Sequence, residues 1–459
     1  MIILNHLPQI LLLILILLGN GLRSVIGSTV FVSEGTFSSF LKISISNSSA
    51  IVELLLGSVL LSLLVSPWLI ARFSARSLTT TMCLIAGLAC LSLASMFWTA
   101  PRVATREVFV FVLLPVIGFS FASLAPIAQT LTGWGGEWHS KLMTGVWAVS
   151  MPVAFLITPQ LVRVIAPRYG IEVFFAGFAI IAFLLILAIW MIKDPTRAVK
   201  LDTLTQPKSL LIPAIITLAT FELMTFLVNM SGISSVLTLG AMALFLIVLS
   251  YLVYVQMTTN SHIETNSDAT RVLAFLFLIN IATTGFYDNA YLVLHLCSNT
   301  LVADRTTFGA LAQVGAAISA TAIMARFSIQ RELMALGAVV TAVGLGSYTF
   351  YFSHPFYEVY IGSKVITGFG MGLLTTAAIF SVIKTIFKGA SLSLFIAFVI
   401  LIGTETGLEM FEIFLQIADI AKISTDATFM AIFYIQVVLV LIAIPVLLVH
   451  KPHYRLGRR

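Results

Sequence analysis

The sequence predicts an all-α membrane protein with about fourteen transmembrane helices, built as two six-helix halves plus an inserted helix pair. Two observations lead to this prediction. Of the 459 residues, 59% are hydrophobic and only 10% are charged, and the mean hydropathy is +1.07, which is more apolar surface than a soluble chain can bury. In addition, one tetrapeptide occurs twice between long apolar runs, as Ala71-Arg72-Phe73-Ser74 and as Ala325-Arg326-Phe327-Ser328.

Fourteen apolar runs reach the length of about 20 residues that a helix needs to cross a bilayer. The first run, about Leu7 to Phe31, has no basic segment before it and no obvious small-residue cleavage site, so we interpret it as a retained helix. In chain order the runs are 7–32, 50–72, 78–99, 107–131, 142–166, 170–192, 210–229, 234–256, 271–296, 304–326, 332–353, 357–383, 390–416 and 427–449.

The repeated tetrapeptide marks a short basic turn between two membrane helices. Each copy has a second arginine close behind, Arg76 in the first copy and Arg331 in the second, and the copies lie 254 residues apart. Gly118-Phe119 and Gly368-Phe369, in the fourth helix of each half, repeat with an offset of 250. These offsets predict a parallel repeat of six-helix units.

The repeat divides the chain into three parts. The first six spans form an N-terminal half over residues 1–192, and the last six form a C-terminal half with a basic tail over 271–459. Spans seven and eight have no counterpart in the repeat, and with the cytoplasmic linker before them they occupy 193–270.

The basic residues indicate how the chain crosses the membrane. The turns Arg72–Arg76 and Arg326–Arg331, the loop Lys193–Ser209 and the C-terminal tail fall on one side, which the positive-inside rule assigns to the cytoplasm. An even number of spans then puts both termini in the cytoplasm. The lack of a long soluble segment fits a bacterial inner membrane. The net charge of +6 is scattered over helix ends and does not indicate nucleic acid.

Several classes of function lack their sequence signatures. There is no GxxxxGK[ST] phosphate loop and no GxSxG nucleophile motif, and the seven histidines and three cysteines show no metal-ligand spacing. We therefore expect no enzyme, no metal and no cofactor, with a proton gradient as the energy source. The expected partners are the lipid bilayer and a small-molecule substrate, and a periplasmic adaptor is left open.

The predicted arrangement resembles the major facilitator superfamily, with six, two and six helices and a basic turn after the second helix of each half. It is most similar to the fourteen-helix drug:proton antiporter branch of that family. The stretch from Pro67 to Arg76 resembles the family's loop signature, roughly G-x-L-A-D-R-x-G-R-R, with Ala71 in place of the aspartate. The stretch Gly118 to Pro152 is similar to the fourth and fifth helices. Tyr169 to Phe175 is similar to the G-W-R-W-x-F start of the sixth.

Two features of the antiporter branch are changed. Its fifth-helix signature, G-x-x-x-G-P, survives only as Gly145 with Pro152 and Pro159 downstream. The aspartate typical of its first helix has no match, and Arg23 lies near the equivalent place. The resemblance implies a transporter that works by alternating access, with the first helix of each half lining a central cavity.

Charged residues inside spans are candidate site residues, because a charge at the bilayer centre costs several kcal/mol, roughly 3 on insertion scales. Arg23 lies in the first span, one turn after Asn20. Asp288 lies at a similar depth in the ninth span, so Arg23 and Asp288 could face each other across the cavity. The pair is interpreted as a gate or as separate proton and anion sites. The alternative is a permanent structural salt bridge.

Two further groups complete the predicted site. Asn280, Thr284 and Tyr291 recur with Asp288 at spacings of three or four, and Tyr287 flanks the aspartate, which predicts a polar stripe facing the cavity or, alternatively, hydrogen bonds between helices. In the thirteenth span the spacing of Glu405, Glu409 and Glu412 places three carboxylates on one side of a helix. Repulsion and desolvation would keep them from all ionising, which suits proton carriers. Partial solvation is the alternative for the last two.

Lys364, about two turns inside span twelve, either snorkels outward or adds positive charge to the cavity. The glycines of spans eleven and twelve are predicted to allow close helix packing. The leading prediction is a proton-coupled exporter of a small amphipathic compound, such as a drug, siderophore or metabolite, with Asp288, Glu405 and Glu409 as proton carriers. The alternatives are a transporter of an anionic metabolite that uses Arg23, and a non-transporting sensor or scaffold.

Overall fold

The computed structural model describes residues 8–19, 21–22, 73–99, 102–132, 137–192, 267–283, 299–353, 356–385 and 417–448, with single positions and short stretches within 51–72 and 403–415. A short helical stretch, Pro8–Gly19, comes first. The long helices of this part are α1 (Ala75–Thr99), α2 (Val103–Thr132), α3 (Glu137–Tyr169), α4 (Ile171–Met191), α5 (Ser267–Thr283), α6 (Asn299–Arg326), α7 (Gln330–Ser353), α8 (Tyr357–Thr385) and α9 (Thr425–Leu448).

Within the described residues, seven helices are long and apolar enough to cross a membrane, namely α1, α2, α4, α6, α7, α8 and α9. Each coincides with a predicted span, and the apolar parts of α3 and α5, Leu142–Ile157 and Arg271–Thr283, coincide with two more. The described part is therefore all-α, and the chain is a multi-pass membrane protein. The count of fourteen stays a prediction, because the inserted pair at 210–229 and 234–256 lies outside the described residues.

The helices of each half pack around a hydrophobic cluster of their own. In the first half α1 packs against α2 and α4, and the buried thiols of Cys83 and Cys90 lie in this contact region as packing groups. In the second half α7 packs against α8 and α9, with the Tyr348 and Phe433 rings stacked at 4.9 Å between centroids. The pairs α1–α4 and α7–α9 occupy equivalent places, which supports a repeated unit.

The basic turns show the repeat in their hydrogen bonds. The amide of Phe73 donates to the carbonyl of Leu69 at 2.8 Å, and the amide of Phe327 donates to the carbonyl of Ile323 at 2.9 Å. Both equivalent pairs are separated by 254 residues, the offset that the tetrapeptide predicts. The helix before the basic turn therefore ends with the same hydrogen bond in both halves.

The next bond shows how the two turns differ. The amide of Leu78 donates to the carbonyl of Ser74 at 2.9 Å, and the amide of Leu333 donates to the carbonyl of Ile329 at 3.1 Å. These two bonds are 255 residues apart in the sequence, so the second turn is one residue longer than the first. The Ser74 hydroxyl also accepts a bond from the Ser77 amide at 3.1 Å and so caps α1. Ile329 has no side-chain acceptor for the same purpose.

Two residues with a positive φ lie in the turns on the opposite side of the membrane. Gly170, between α3 and α4, has φ 87°, and Lys422, before α9, has φ 53°. They are the two described residues with a positive φ, and 252 residues separate them. The Lys422 amide bonds the Asp419 carbonyl and the Ile423 amide bonds the Ala418 carbonyl, which is the Schellman pattern that ends a helix with a left-handed residue.

We expect Lys422→Gly to stabilise the protein by about 1 kcal/mol, because a left-handed backbone costs a residue with a Cβ roughly that much. Thermal unfolding of the purified protein in detergent would measure the gain. Lys422→Ala is the matched control, since it removes the same charge and keeps the Cβ. An equal gain in both variants would assign the effect to charge and contradict the backbone argument.

Candidate functional site

Asn280 in α5 lies in the contact between this helix and the segment that precedes Glu405. The side chain is buried, and its amide donates to the Leu276 carbonyl at 2.7 Å. A Cβ built on Gly403 would lie 2.9 Å from the Asn280 Cβ and 3.0 Å from the Phe277 carbonyl oxygen. The backbone at Gly403, two residues before Glu405, therefore lies directly against the helix that leads toward Asp288.

Lys364 in α8 lies across the backbone of α6. A Cβ on Gly309 would lie 2.7 Å from the Lys364 Cγ and 3.2 Å from its Cε, so the absence of a side chain at Gly309 makes room for the lysine stem. Lys364 is partly buried there. The contact holds the aliphatic part of the side chain along α6, which limits the directions that the ammonium group can reach.

Glycines bring α8 into backbone contact with α6 and α7. A Cβ on Gly368 would overlap the carbonyl oxygen of Gly309 in α6. On the other face of α8, a Cβ on Gly344 of α7 would lie 2.5 Å from the Thr367 amide nitrogen, and the Ser347 hydroxyl donates to the Ser363 hydroxyl at 2.7 Å. These contacts confirm the predicted packing role of the glycines and make α6, α7 and α8 one closely packed unit.

The first half has an equivalent crossing. Gly118 in α2 faces the second predicted span, where an added Cβ would lie 2.8 Å from the Ser58 hydroxyl. Nearby, the Ser62 hydroxyl lies 2.6 Å from the Phe119 carbonyl oxygen, to which it donates, and 2.6 Å from the Ser123 hydroxyl. Gly118 and Gly368 therefore play matching roles in the two halves, as their repeated position predicts.

The two halves meet where α3 packs against α6 and α8. In this seam, a Cβ on Gly145 of α3 would lie 2.5 Å from the Thr321 Cγ2 and 3.0 Å from its hydroxyl oxygen. Gly145 is the surviving glycine of the fifth-helix signature, and the structure places it at the seam between the halves. A small residue here lets the two halves approach closely.

The basic turn of the first half joins α1 to the end of α4. One Arg76 guanidinium nitrogen donates to the carbonyl of Ile192, the C-cap residue of α4, and the guanidinium lies 5.2 Å from the Trp190 ring centroid. The Trp190 indole donates to the Thr80 hydroxyl at 3.1 Å. This side of the membrane, which carries the turns Arg72–Arg76 and Arg326–Arg331, is called the basic side below.

We expect Arg76→Ala to lower the free energy of unfolding by about 2 kcal/mol, because it removes a charge-assisted hydrogen bond and a cation–π contact. Thermal unfolding would measure the loss. Arg326→Ala is the control. Arg326 is exposed at the end of α6, where its interaction with the helix dipole should contribute less than about 1 kcal/mol. Equal losses in the two variants would contradict a stabilising contact of Arg76 with the end of α4.

Six of the predicted site residues lie within the described part. Asn280 is buried, Lys364, Arg76 and Arg331 are partly buried, and Arg72 and Arg326 are exposed. No described group of three or more His, Cys, Asp or Glu residues could hold a metal. The other predicted site residues lie outside the described residues: Asn20, Arg23, Thr284, Tyr287, Asp288, Tyr291, Glu405 and Glu409.

Gly309 and Thr321 are contact residues that the sequence analysis missed. A glycine inside an apolar run is a visible signal of close packing, and Gly309 could have been found in that way. Thr321 has no such signal, since its importance depends on which helix lies opposite.

Comparisons with known proteins show the fold. No protein-family model matches the chain, and no curated protein matches its sequence. Among solved structures, the major facilitator superfamily proton:xylose symporter XylE bound to 6-bromo-6-deoxy-D-glucose has a TM-score of 0.63 and 12% identity, covering 94% of this chain and 94% of that one. A partially occluded, inward open form of XylE from E. coli has a TM-score of 0.60 and 11% identity. The match covers 98% of this chain and 99% of that one.

A variant of the peptide transporter POT in complex with sulfate has a TM-score of 0.60 and 15% identity, covering 96% of this chain and 94% of that one. Identities this low show the architecture alone. The chain therefore has the major facilitator fold, as the sequence predicts, while its place in a fourteen-helix branch stays a prediction.

Proposed function

We propose that the protein is a secondary active transporter that works by alternating access. The observation that carries the proposal is the fold, because three solved structures that share it over 94–98% of this chain are transporters of xylose or peptides. Alternating access needs two units that move against each other around a central site. These named relatives are transporters rather than enzymes, in agreement with the expectation that the chain is not an enzyme.

The packing of the two halves supports rigid-body motion. Within the second half, glycine contacts hold α6, α7 and α8 at backbone distance, so these helices cannot easily slide past one another. Among the described helices, the halves contact each other through a seam formed by α3 against α6 and α8. A movement that separates the halves along this seam would leave the packing inside each half intact.

Proton coupling through Asp288 and Glu405, with Glu409 sharing the proton, is the mechanism we propose. Carboxylates in a low-dielectric site bind protons near neutral pH, and protonation would change which conformation is favoured. The direct contact of Gly403 with Asn280 supports coupling, because it joins the helix leading toward Asp288 to the segment leading to Glu405. The name proton:xylose symporter shows that this fold can couple transport to protons.

The substrate we propose is a small amphipathic compound, exported in exchange for protons. XylE is a proton:xylose symporter, so the comparison does not favour export over uptake, and the direction must be measured. The second candidate is an anionic metabolite bound by Arg23 and Lys364. The contact that holds the Lys364 stem along Gly309 favours this candidate, because it fixes a cation within α8.

Proteoliposomes that contain a pH-sensitive dye would test the proposal. Lipophilic cations, siderophores and organic anions are added under an imposed proton gradient, in both directions. We expect substrate-triggered proton movement in the native chain, lost in Asp288→Asn or Glu405→Gln. Glu358→Gln is the matched control, because Glu358 is exposed in the first turn of α8. Proton movement that survives both site changes would contradict the assigned carriers.

The anionic candidate has its own expected result in the same assay. Organic anions, and not cations, would drive proton movement, and Lys364→Gln would lower the response. Silence of a folded native protein toward every compound would favour the sensor or scaffold reading over transport.

A further inference from the structure

One residue of the second half is buried in the hydrophobic cluster of the first half. Ile379 in α8 is 3% exposed and belongs to the cluster that otherwise consists of residues from the first half. Among the described residues it is the single second-half member, and the second-half cluster contains no residue from the first half. Among the described residues, the two clusters are therefore separate except at this side chain.

The depth of Ile379 places this contact on the basic side. It lies six residues before the end of α8, a distance of about 9 Å along the helix axis. The helix α8 contacts α3, in which Met143 lies six residues after the start, at the same depth. Met143 is a buried member of the same cluster. Near the basic side, the buried side chain of Ile379 therefore belongs to a hydrophobic cluster that also includes Met143 of α3.

The first half has no apolar residue at the position equivalent to Ile379. With the 250-residue offset of Gly118 and Gly368, the counterpart of Ile379 is Gln129, a polar residue. The loop signature is also changed, because Ala71 stands where a charged aspartate would be expected. On the basic side, an apolar contact from the second half is thus in place, and an acidic group of the signature is missing.

We propose that Ile379 is an apolar latch that holds the two halves together on the basic side. A side chain buried across the seam is removed from water only while the halves are in contact on that side. Its burial therefore favours the state closed on the basic side over the state open there. The latch depends on the seam and not on which substrate is carried, so its test is independent of the transport assay.

The test measures the separation of the halves on the basic side. Spin labels on Ser77→Cys and Ser328→Cys, which are exposed at the basic side of the first and second half, report this distance by pulsed electron resonance. The full chain is used in lipid nanodiscs, with Cys83, Cys90 and Cys297 replaced by alanine. The variants compared are Ile379→Ala and the conservative Ile379→Leu.

In Ile379→Ala we expect the population with the longer distance to grow relative to the short one by roughly tenfold, whereas Ile379→Leu keeps the native distribution. Because the contact is apolar, the shift should persist from low to high salt. Leu374→Ala is the matched control, since Leu374 is fully buried in α8 within the second-half cluster. It should lower the melting temperature and leave the distances unchanged.

A native distance distribution in Ile379→Ala, with the protein folded, would overturn the latch. So would an equal shift in Leu374→Ala, because the effect would then be general destabilisation. If Ile379→Ala does not fold, Ile379→Val must give a smaller shift in the same direction, and an unchanged distribution in that variant overturns the proposal.

Discussion

Gly368→Ala should destabilise the protein by about 3 kcal/mol, although it adds a single methyl group. The new Cβ would overlap the carbonyl oxygen of Gly309, and its next neighbours are also backbone atoms of that residue. A backbone atom inside a packed helix cannot rotate away, so α6 and α8 must separate. Overpacking of this kind costs about 1–3 kcal/mol and occasionally more.

The same substitution six residues earlier in α8 is the matched control. A Cβ on Gly362 would meet no atom within 4 Å, so Gly362→Ala should be neutral or stabilise the helix by up to about 1 kcal/mol. Thermal unfolding in detergent would compare both variants with the native protein. Similar changes in melting temperature for the two would contradict the close contact of α8 with α6.

Gly145→Ala should push the two halves apart at their seam. The added Cβ would lie 2.5 Å from the Thr321 Cγ2, and a β-branched side chain has few alternative rotamers in a helix. We expect a loss of about 1–3 kcal/mol in the free energy of unfolding and a clear fall in any transport that the native protein shows. Melting temperature and proteoliposome flux would be measured together.

A second change should rescue this variant. Thr321→Ala removes the methyl and hydroxyl groups and leaves the Thr321 Cβ, which lies 3.4 Å from the Cβ position on Gly145. The double variant should therefore recover most of the stability that Gly145→Ala loses, a coupling that a double-mutant cycle measures directly. Additive losses would show that Gly145 and Thr321 do not meet across the seam.

The sequence predicts the helices and their repeat well, because both depend on local patterns. Apolar runs mark the spans, although the structure starts α3 at Glu137, five residues before the predicted run, since hydropathy does not include its polar first turn. The tetrapeptide offset of 254 reappears in the hydrogen bonds of the two turns. The extra residue of the second turn, before Ile329, is not visible in the tetrapeptide itself.

Contacts between distant helices could not be predicted in the same way. Nothing local to Gly145 indicates that Thr321 lies opposite, and nothing local to Ile379 indicates that it joins the core of the other half. Such contacts depend on how two separately packed units meet. Lys364 is intermediate, because its position inside a span is visible in the sequence but its contact with Gly309 is not.

Residue chemistry alone predicts the candidate site as a hypothesis. Charged side chains inside spans stand out because burying a charge is costly, and this singled out Arg23, Asp288 and Glu405. These residues lie outside the described part, so their roles rest on that argument and on the contact of Gly403 with Asn280. Within the described residues, the structure defines the frame around the site, which consists of two hydrophobic clusters and the seam of α3 against α6 and α8.

The most direct test of alternating access measures both sides of the membrane at once. One label pair, Ser77→Cys with Ser328→Cys, reports the basic side, and a second pair, Thr99→Cys with Tyr357→Cys, reports the opposite side, where both residues are exposed. The distances are recorded from acidic to basic pH in nanodiscs. We expect two populations in which one side lengthens as the other shortens. Distances that stay fixed, or that lengthen together, would contradict a transporter whose halves rock about a central site.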